Sequence, residues 1–168
     1  MNSLNSFALK FTLGLIVSFL LAFGDAKADV LIGKVVGITD GDTITVLDVS
    51  KTQHKIRLMG IDAPEKKQKF GNESKKALSK YIFQKEVTVE YKKQDRYKRK
   101  IGKVILEGKD ICLLMIQDGM AWHYKDYEKE QSKLDRDLYS NAEIKAREAK
   151  IGLWQAINPI APSEFRHK

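Results

Sequence analysis

Apolar residues along this chain recur at every second position in short runs, and at helical spacing in longer ones. Val30 to Thr39 is rich in β-forming residues and ends at the turn Asp40-Gly41-Asp42. Thr43 to Leu47 and Lys55 to Met59 alternate, which predicts two half-buried strands joined by a polar loop through Ser50 and Thr52. Val87 to Tyr91 and Ile101 to Leu106, the latter closed by Glu107-Gly108, predict two more. Between these pairs, Asn72 to Phe83 places Ala77, Leu78, Tyr81 and Ile82 on one side of a helix.

Ile111 to Gln117 predicts a short apolar helix, and about Ser132 to Ala149 a longer one with Leu134, Leu138, Ala142, Ala146 and Ala149 on one face. Gly152 suits a left-handed cap after that helix. Asn158-Pro159 and Pro162 predict a tail rather than a helix. Five strands followed mainly by helices give an α+β class, and closing the small sheet on itself is the simplest way to remove its edges.

The N-terminus follows another pattern. Phe11 to Gly24 is an apolar run of 14 residues without a charge, short against the roughly 20 needed to span a bilayer. Ala26-Lys27-Ala28 has the small-x-small form of a secretory cleavage site, so residues 1–28 read as a signal peptide. An uncleaved membrane anchor is the alternative, because only Lys10 precedes the run. Cleavage predicts a secreted or periplasmic protein with no stable membrane association. Residues 29–154 would then form one domain and 155–168 a C-terminal tail.

The chain has 168 residues, with 30 Lys and Arg against 22 Asp and Glu, a net +8. Removing residues 1–28 takes away Lys10, Lys27 and Asp25, so the excess falls only to +7 and belongs to the folded part. The single Cys112 forms no internal disulfide, and its apolar surroundings predict a buried, inert thiol. About 140 residues bury enough surface to fold without a disulfide. Nothing predicts an oligomer, and a monomer is the default.

Two acidic clusters stand out. Asp40-Gly41-Asp42 is an ordinary turn composition, yet its two carboxylates can approach one hard cation together. Asp62-Ala63-Pro64-Glu65 carries its acids on a loop stiffened by Pro64. Arg57 lies an odd number of residues before Asp62, on opposite faces of an unbroken strand, but Gly60 is a plausible break that brings both to one site. Lys92 to Lys103 holds seven basic residues against one acid, either a solvated loop or a phosphate-binding edge in which Arg forks onto phosphate oxygens. Lys66, Lys67, Lys69, Lys75, Lys76 and Lys80 extend the basic surface. Trp122, Tyr124 and Tyr127 are able to stack on bases, although packing explains Trp122 equally well. No Cys/His spacing suggests zinc, and His54, His123 and His167 are scattered. Taken together, two acidic clusters, two placed arginines and a basic surface describe metal-assisted cleavage of a polyanion.

At these residues the chain resembles the thermonuclease (staphylococcal nuclease-like) family. The likeness runs from Val35-Val36-Gly37-Ile38-Thr39-Asp40-Gly41-Asp42-Thr43-Ile44 through Ile56-Arg57-Leu58-Met59-Gly60-Ile61-Asp62-Ala63-Pro64-Glu65. It continues through Asp95-Arg96-Tyr97-Lys98-Arg99 and Asp118-Gly119-Met120-Ala121-Trp122 to Gly152-Leu153-Trp154, and the ending Ala161 to Arg166 is similar to the tails of secreted bacterial members. The resemblance implies an OB-fold barrel of five strands with three helices, cleaving DNA and RNA with Ca2+ and leaving 3′-phosphates. It implies that Asp42 and Asp62 hold the ion with the Ala63 backbone carbonyl, and that Asp40 sits beside them, touching the ion or one layer out. Glu65 would orient or deprotonate the attacking water, and Arg57 and Arg99 would hold the scissile phosphate. Tyr97, Lys98, Tyr124 and Tyr127 would contact substrate. Lys98 stands where the family usually has Gly, which leaves the aim of Arg99 open. The rival readings are a non-catalytic OB-fold module that binds nucleic acid, and a basic protein that binds acidic surface polymers.

Overall fold

The structure is a computed structural model that describes residues 28–167. The expected signal peptide falls almost wholly outside them. In chain order, β1 (Asp29–Ile38), β2 (Thr43–Asp48), β3 (Gln53–Leu58) and the two-residue β4 (Ile61–Asp62) precede α1 (Gly71–Ile82). Then come β5 (Glu86–Gln94), β6 (Lys100–Leu106), β7 (Lys109–Asp110), α2 (Ile111–Gln117), β8 (Trp122–His123), α3 (Lys133–Glu148) and the one-turn α4 (Pro162–Phe165). Short 3-10 turns occupy Lys125–Glu130 and Gly152–Gln155.

Five strands close into a barrel. β1 pairs antiparallel with β2 along one half and with β5 along the other, β2 pairs with β3, and β5 with β6. A parallel contact between β3 and β6, with Ile56 opposite Lys100 and Leu58 opposite Gly102, closes the ring. This is the OB-fold plan of an α+β protein. The alternation in the strands points inward as expected: Val35, Ile44, Val46, Ile56, Leu58, Val87, Val89 and Val104 are all buried. Leu78 and Ile82 of α1 and Met115 and Ile116 of α2 join the same core. Each such side chain, fully buried, is worth about 1.5–3 kcal/mol of transfer free energy. Cys112 lies in this core, and burial pushes its thiol up from the ordinary range.

The α3 stripe differs from expectation. Its buried residues are Tyr139, Ala142, Glu143 and Ala146, while Leu134 is 69% and Leu138 44% exposed. The reason is polar. Tyr139 donates to Asp110 at 2.8 Å, and Glu143 accepts from the His123 backbone at 3.2 Å and from Lys125 at 2.5 Å. Ala142 and Ala146 face inward as expected, but a phenol and an acid with partners complete that face, and Leu134, Leu138 and Ala149 do not join it. The cap differs too. Lys150, at φ 51°, takes the left-handed position, with its amide bonding to Arg147 O at 3.0 Å and the Ile151 amide to Ala146 O at 3.2 Å. Gly152 comes too late to serve as that cap. The tail, expected to be without helix, forms α4, with Pro162 starting the turn.

Candidate active site

The acidic turn after β1 is held against the rest of the barrel by backbone contacts. Leu58 N donates to Asp42 O at 2.8 Å. Gly41 is required by close approach: a Cβ there would lie 1.9 Å from Ser74 Oγ and 2.7 Å from Ala63 Cβ. The turn therefore sits directly on α1 and on the second acidic cluster. Asp40 Oδ1 accepts from the Asp42 amide at 3.1 Å, and Thr43 Oγ1 donates to Asp42 Oδ1 at 3.1 Å.

The second cluster is placed by a ladder that strand patterning does not reveal. β4 pairs antiparallel with β8, with Ile61 opposite His123 and Asp62 opposite Trp122. Between β3 and β4 the chain turns at Gly60, whose φ of +75° belongs to the left-handed region that favours glycine. That turn brings Arg57 and Asp62 together. Arg57 Nη2 lies 2.9 Å from Asp62 Oδ1 and 3.2 Å from Asp42 Oδ2, and Nη1 donates to Leu58 O at 3.1 Å and Ile61 O at 2.8 Å. The other acceptor on the turn, Asp42 Oδ2, also takes the Ala63 amide at 2.7 Å. One guanidinium thus joins carboxylates from two separate loops.

Asp42 and Asp62 are buried at 6% and 2% exposure. Burial, and secondarily the charge of Asp42, pushes the Asp40 carboxyl up to about 6. Burial also raises Asp62, against the opposing pull of Arg166 and Arg57. These crowded hard oxygen donors, with the Ala63 carbonyl nearby, have the chemistry that suits Ca2+. A single cationic nitrogen, Arg57 Nη2, is already shared between Asp42 and Asp62, so positive charge serves both at once. Among the described residues, no group of three His, Cys, Asp or Glu side chains is arranged to hold a metal on its own. The two buried carboxylates, Asp42 and Asp62, are both engaged by Arg57, and Asp62 also by Arg166.

Asp40, Asp42, Arg57, Asp62, Ala63 and Glu65 all line one cleft of about 620 Å³, and Tyr97, Arg99, Tyr124 and Tyr127 line it as well. Arg99 comes from the hairpin between β5 and β6. Asp95 fixes that hairpin: Oδ1 accepts the amides of Tyr97 and Arg99 at 2.9 and 3.0 Å, and Oδ2 takes Arg99 Nε at 2.7 Å. Tyr97 lies under the Arg99 guanidinium, 5.4 Å from ring centroid to carbon, and Tyr124 lies 5.9 Å under Arg57. Tyr124 and Tyr127 pack at 4.9 Å. Lys98 is exposed and absent from the cleft lining; at φ 61° it takes the left-handed turn position itself. Trp122 faces elsewhere, packing edge-on against Trp154 at 4.4 Å under Arg147. His123 is buried and bonded to Gln131 at 2.9 Å.

Sequence reasoning missed Arg166 at this site and Gln68, which braces its acidic loop from the neighbouring groove. Gln68 folds back on the acidic loop, accepting from the Glu65 amide at 3.1 Å. Arg166 reaches the site from the tail, within 2.8 Å of Glu65 Oε1 and 3.0 Å of Asp62 Oδ2. Arg166 belongs to the ending that resembles secreted family members, but no local pattern attaches a role to an arginine a hundred residues from its partners.

Comparison with known proteins agrees with the likeness read from the motifs. The family pattern described as "Staphylococcal nuclease homologue" matches residues 55–156. An uncharacterized endonuclease of Haemophilus influenzae is 43% identical over 135 residues, covering 80% of this chain and 72% of that one. An uncharacterized endonuclease of Escherichia coli O157:H7 is 36% identical over 154 residues, 91% of this chain and 95% of the other. A micrococcal nuclease of Shigella flexneri is 38% identical over 143 residues, 80% and 79%.

Proposed function

Because the chain belongs to the staphylococcal nuclease family, we propose that it is a nuclease that hydrolyses phosphodiester bonds of DNA and RNA with little sequence preference. The observation that carries this reading is the Arg57 clamp, which gathers Asp42 and Asp62 beside Glu65 and Arg99 in one cleft. Asp42, Asp62 and the Ala63 carbonyl would hold Ca2+, with Asp40 beside them. When bound, the ion would supply positive charge against a non-bridging phosphate oxygen.

The chain's own groups do the rest. Glu65 is 36% exposed at its side chain and faces the cleft, where it is able to take a proton from a water approaching the phosphorus. Arg57 enters from the barrel and Arg99 from the hairpin, and their donors strengthen as charge builds on the phosphoryl oxygens. Tyr97, Tyr124 and Tyr127 offer ring faces to bases, which every base accepts. Basic side chains outside the cleft contact phosphates, which carry no sequence information directly. We further propose cleavage that leaves 3′-phosphates, action outside the cytoplasm after removal of residues 1–28, and a monomeric protein. Among the described residues no helix is long and apolar enough to cross a membrane.

The test is digestion of duplex DNA and of RNA by the purified chain, with Ca2+ and then with excess chelator. Cleavage that depends on Ca2+ and leaves 3′-phosphate ends supports the reading. Binding of nucleic acid without cleavage under either condition would establish the non-catalytic module instead.

A further inference from the structure

The C-terminal segment brings another guanidinium to the two acids of the second cluster. Arg166 Nη1 donates to Asp62 Oδ1 at 3.1 Å and to Glu65 Oε1 at 2.8 Å, while Nη2 donates to Asp62 Oδ2 at 3.0 Å. Gln68 Nε2 donates to Ile160 O at 2.6 Å, Pro162 is buried, and Phe165 lines a second groove of about 220 Å³ with Phe70, Trp122 and Leu153.

The two guanidiniums on Asp62 are not equivalent. Arg57 is 13% exposed at its side chain and also donates to two backbone carbonyls of its own loop. Arg166 is 37% exposed, has only carboxylate partners, and rides on a single helical turn. Arg57 belongs to the frame of the site, and Arg166 is the partner that can leave. Asp62 Oδ1 already accepts from both arginines, which uses its two lone pairs, and Oδ2 accepts from Arg166. A cation seated on Asp62 must therefore displace donors and meet the charge of a guanidinium at hydrogen-bond range.

Building on the Ca2+ site proposed above, we propose that Arg166 is an active-site residue that competes with the divalent cation for Asp62. Docked, it acts as an internal counter-cation to Asp62 and also occupies Glu65. Cation binding releases it and undocks residues 158–167. By linkage, whatever Arg166 does to cation affinity the cation does to tail docking. The tail thus sets the cation concentration at which the acid pair becomes free.

The experiment is calorimetric titration of Ca2+ into the full chain, its Arg166→Gln variant and its Phe165→Ala variant. Arg166→Gln should bind Ca2+ about 5- to 150-fold more tightly, the usual range of coupling between sites. Phe165→Ala keeps the guanidinium but removes the half-buried ring next to it in the docked turn, so it should shift affinity in the same direction by less. In the unsubstituted chain, Ca2+ should speed hydrogen exchange at the Phe165 and Arg166 amides, which bond to Ala161 O and Pro162 O at 3.0 Å in the docked turn. Unchanged or weaker Ca2+ binding by Arg166→Gln overturns the competition, as does equal amide protection with and without the ion. If the chain cleaves DNA with Ca2+ while Arg166→Gln binds no tighter, the competition alone fails. If the chain neither binds Ca2+ nor cleaves DNA, the proposed function falls and the competition falls with it.

Discussion

Arg57 donates to Asp62 at 2.9 Å, although an odd separation in an unbroken strand sends two side chains to opposite faces. The left-handed turn at Gly60 is what reverses the second residue. The contact is both structural and, in the proposed mechanism, chemical. Arg57→Ala leaves buried Asp42 without a cationic partner and Asp62 with Arg166 alone, and breaking a buried pair costs up to about 3–5 kcal/mol. We expect a lower thermal midpoint in chelator and a fall in turnover of at least about 10²–10³, with Ca2+ recovering part of the stability and none of the rate. Melting curves with and without Ca2+, beside a digestion assay, check both halves.

Arg99 separates the two effects. Its side chain makes one ion pair, to Asp95, lies over the exposed Tyr97 ring, and is 27% exposed. Arg99→Ala should therefore lose about 10²–10³ in rate with a thermal midpoint close to that of the parent chain. A midpoint as low as that of Arg57→Ala would show that the hairpin carries more of the fold than these contacts indicate.

Asp95 gives the same hairpin a pH dependence. Although burial opposes it, the Arg99 amide and guanidinium and the Tyr97 amide hold the Asp95 carboxyl below its ordinary value. A depressed carboxyl contributes stability that is complete above the unfolded value and is lost as pH falls through the folded one. Protection of the Tyr97 and Arg99 amides should thus be constant from neutral pH down to about the ordinary carboxylate range, then weaken below it. Asp95→Asn should abolish that dependence, as amide exchange followed by NMR across the acid range will report.

Gly41→Ala should act through packing, since the added methyl meets Ser74 and Ala63. Overpacking of this kind costs about 1–3 kcal/mol. Because the clash lifts the acidic turn from the second cluster, Ca2+ affinity should fall more than the loss of stability alone explains. Titration calorimetry at a temperature where the variant is fully folded checks this.

Nucleic-acid affinity should fall steeply with salt, with a log–log slope of about −0.9 for each phosphate neutralised on duplex DNA. Measured in chelator, so that binding is separated from cleavage, the slope should be similar for unrelated sequences. Cys112, by contrast, should resist alkylation in the native protein and react only after unfolding, since it is completely buried; mass spectrometry before and after denaturant distinguishes the two.

Strand and helix positions in the barrel were legible because each follows from a local period. Val87 and Val89 or Leu78 and Ile82 show their inward faces within one element, whatever surrounds them. Asp40, Asp42, Asp62 and Glu65 were legible as candidates because turn chemistry and charge are written in neighbouring residues. The α3 face was misread at Leu134 and Leu138, because an inward Glu143 is stable only through His123 and Lys125, which lie in other elements. The left-handed cap went to Lys150 rather than Gly152 because the last hydrogen-bonded turn, not composition, decides where a helix stops.

By itself, then, the chain's order of residues determined the α+β class, the barrel strands, the inert thiol and the two acidic loops, all products of short-range pattern and side-chain chemistry. Tertiary structure alone decided that one guanidinium serves both loops, that β4 pairs with β8, and that Arg166 closes on Asp62 across more than a hundred residues. Contacts of that kind depend on how loops return in space. Charge and hydrogen-bonding capacity make them possible, but only the closed barrel brings the partners within reach.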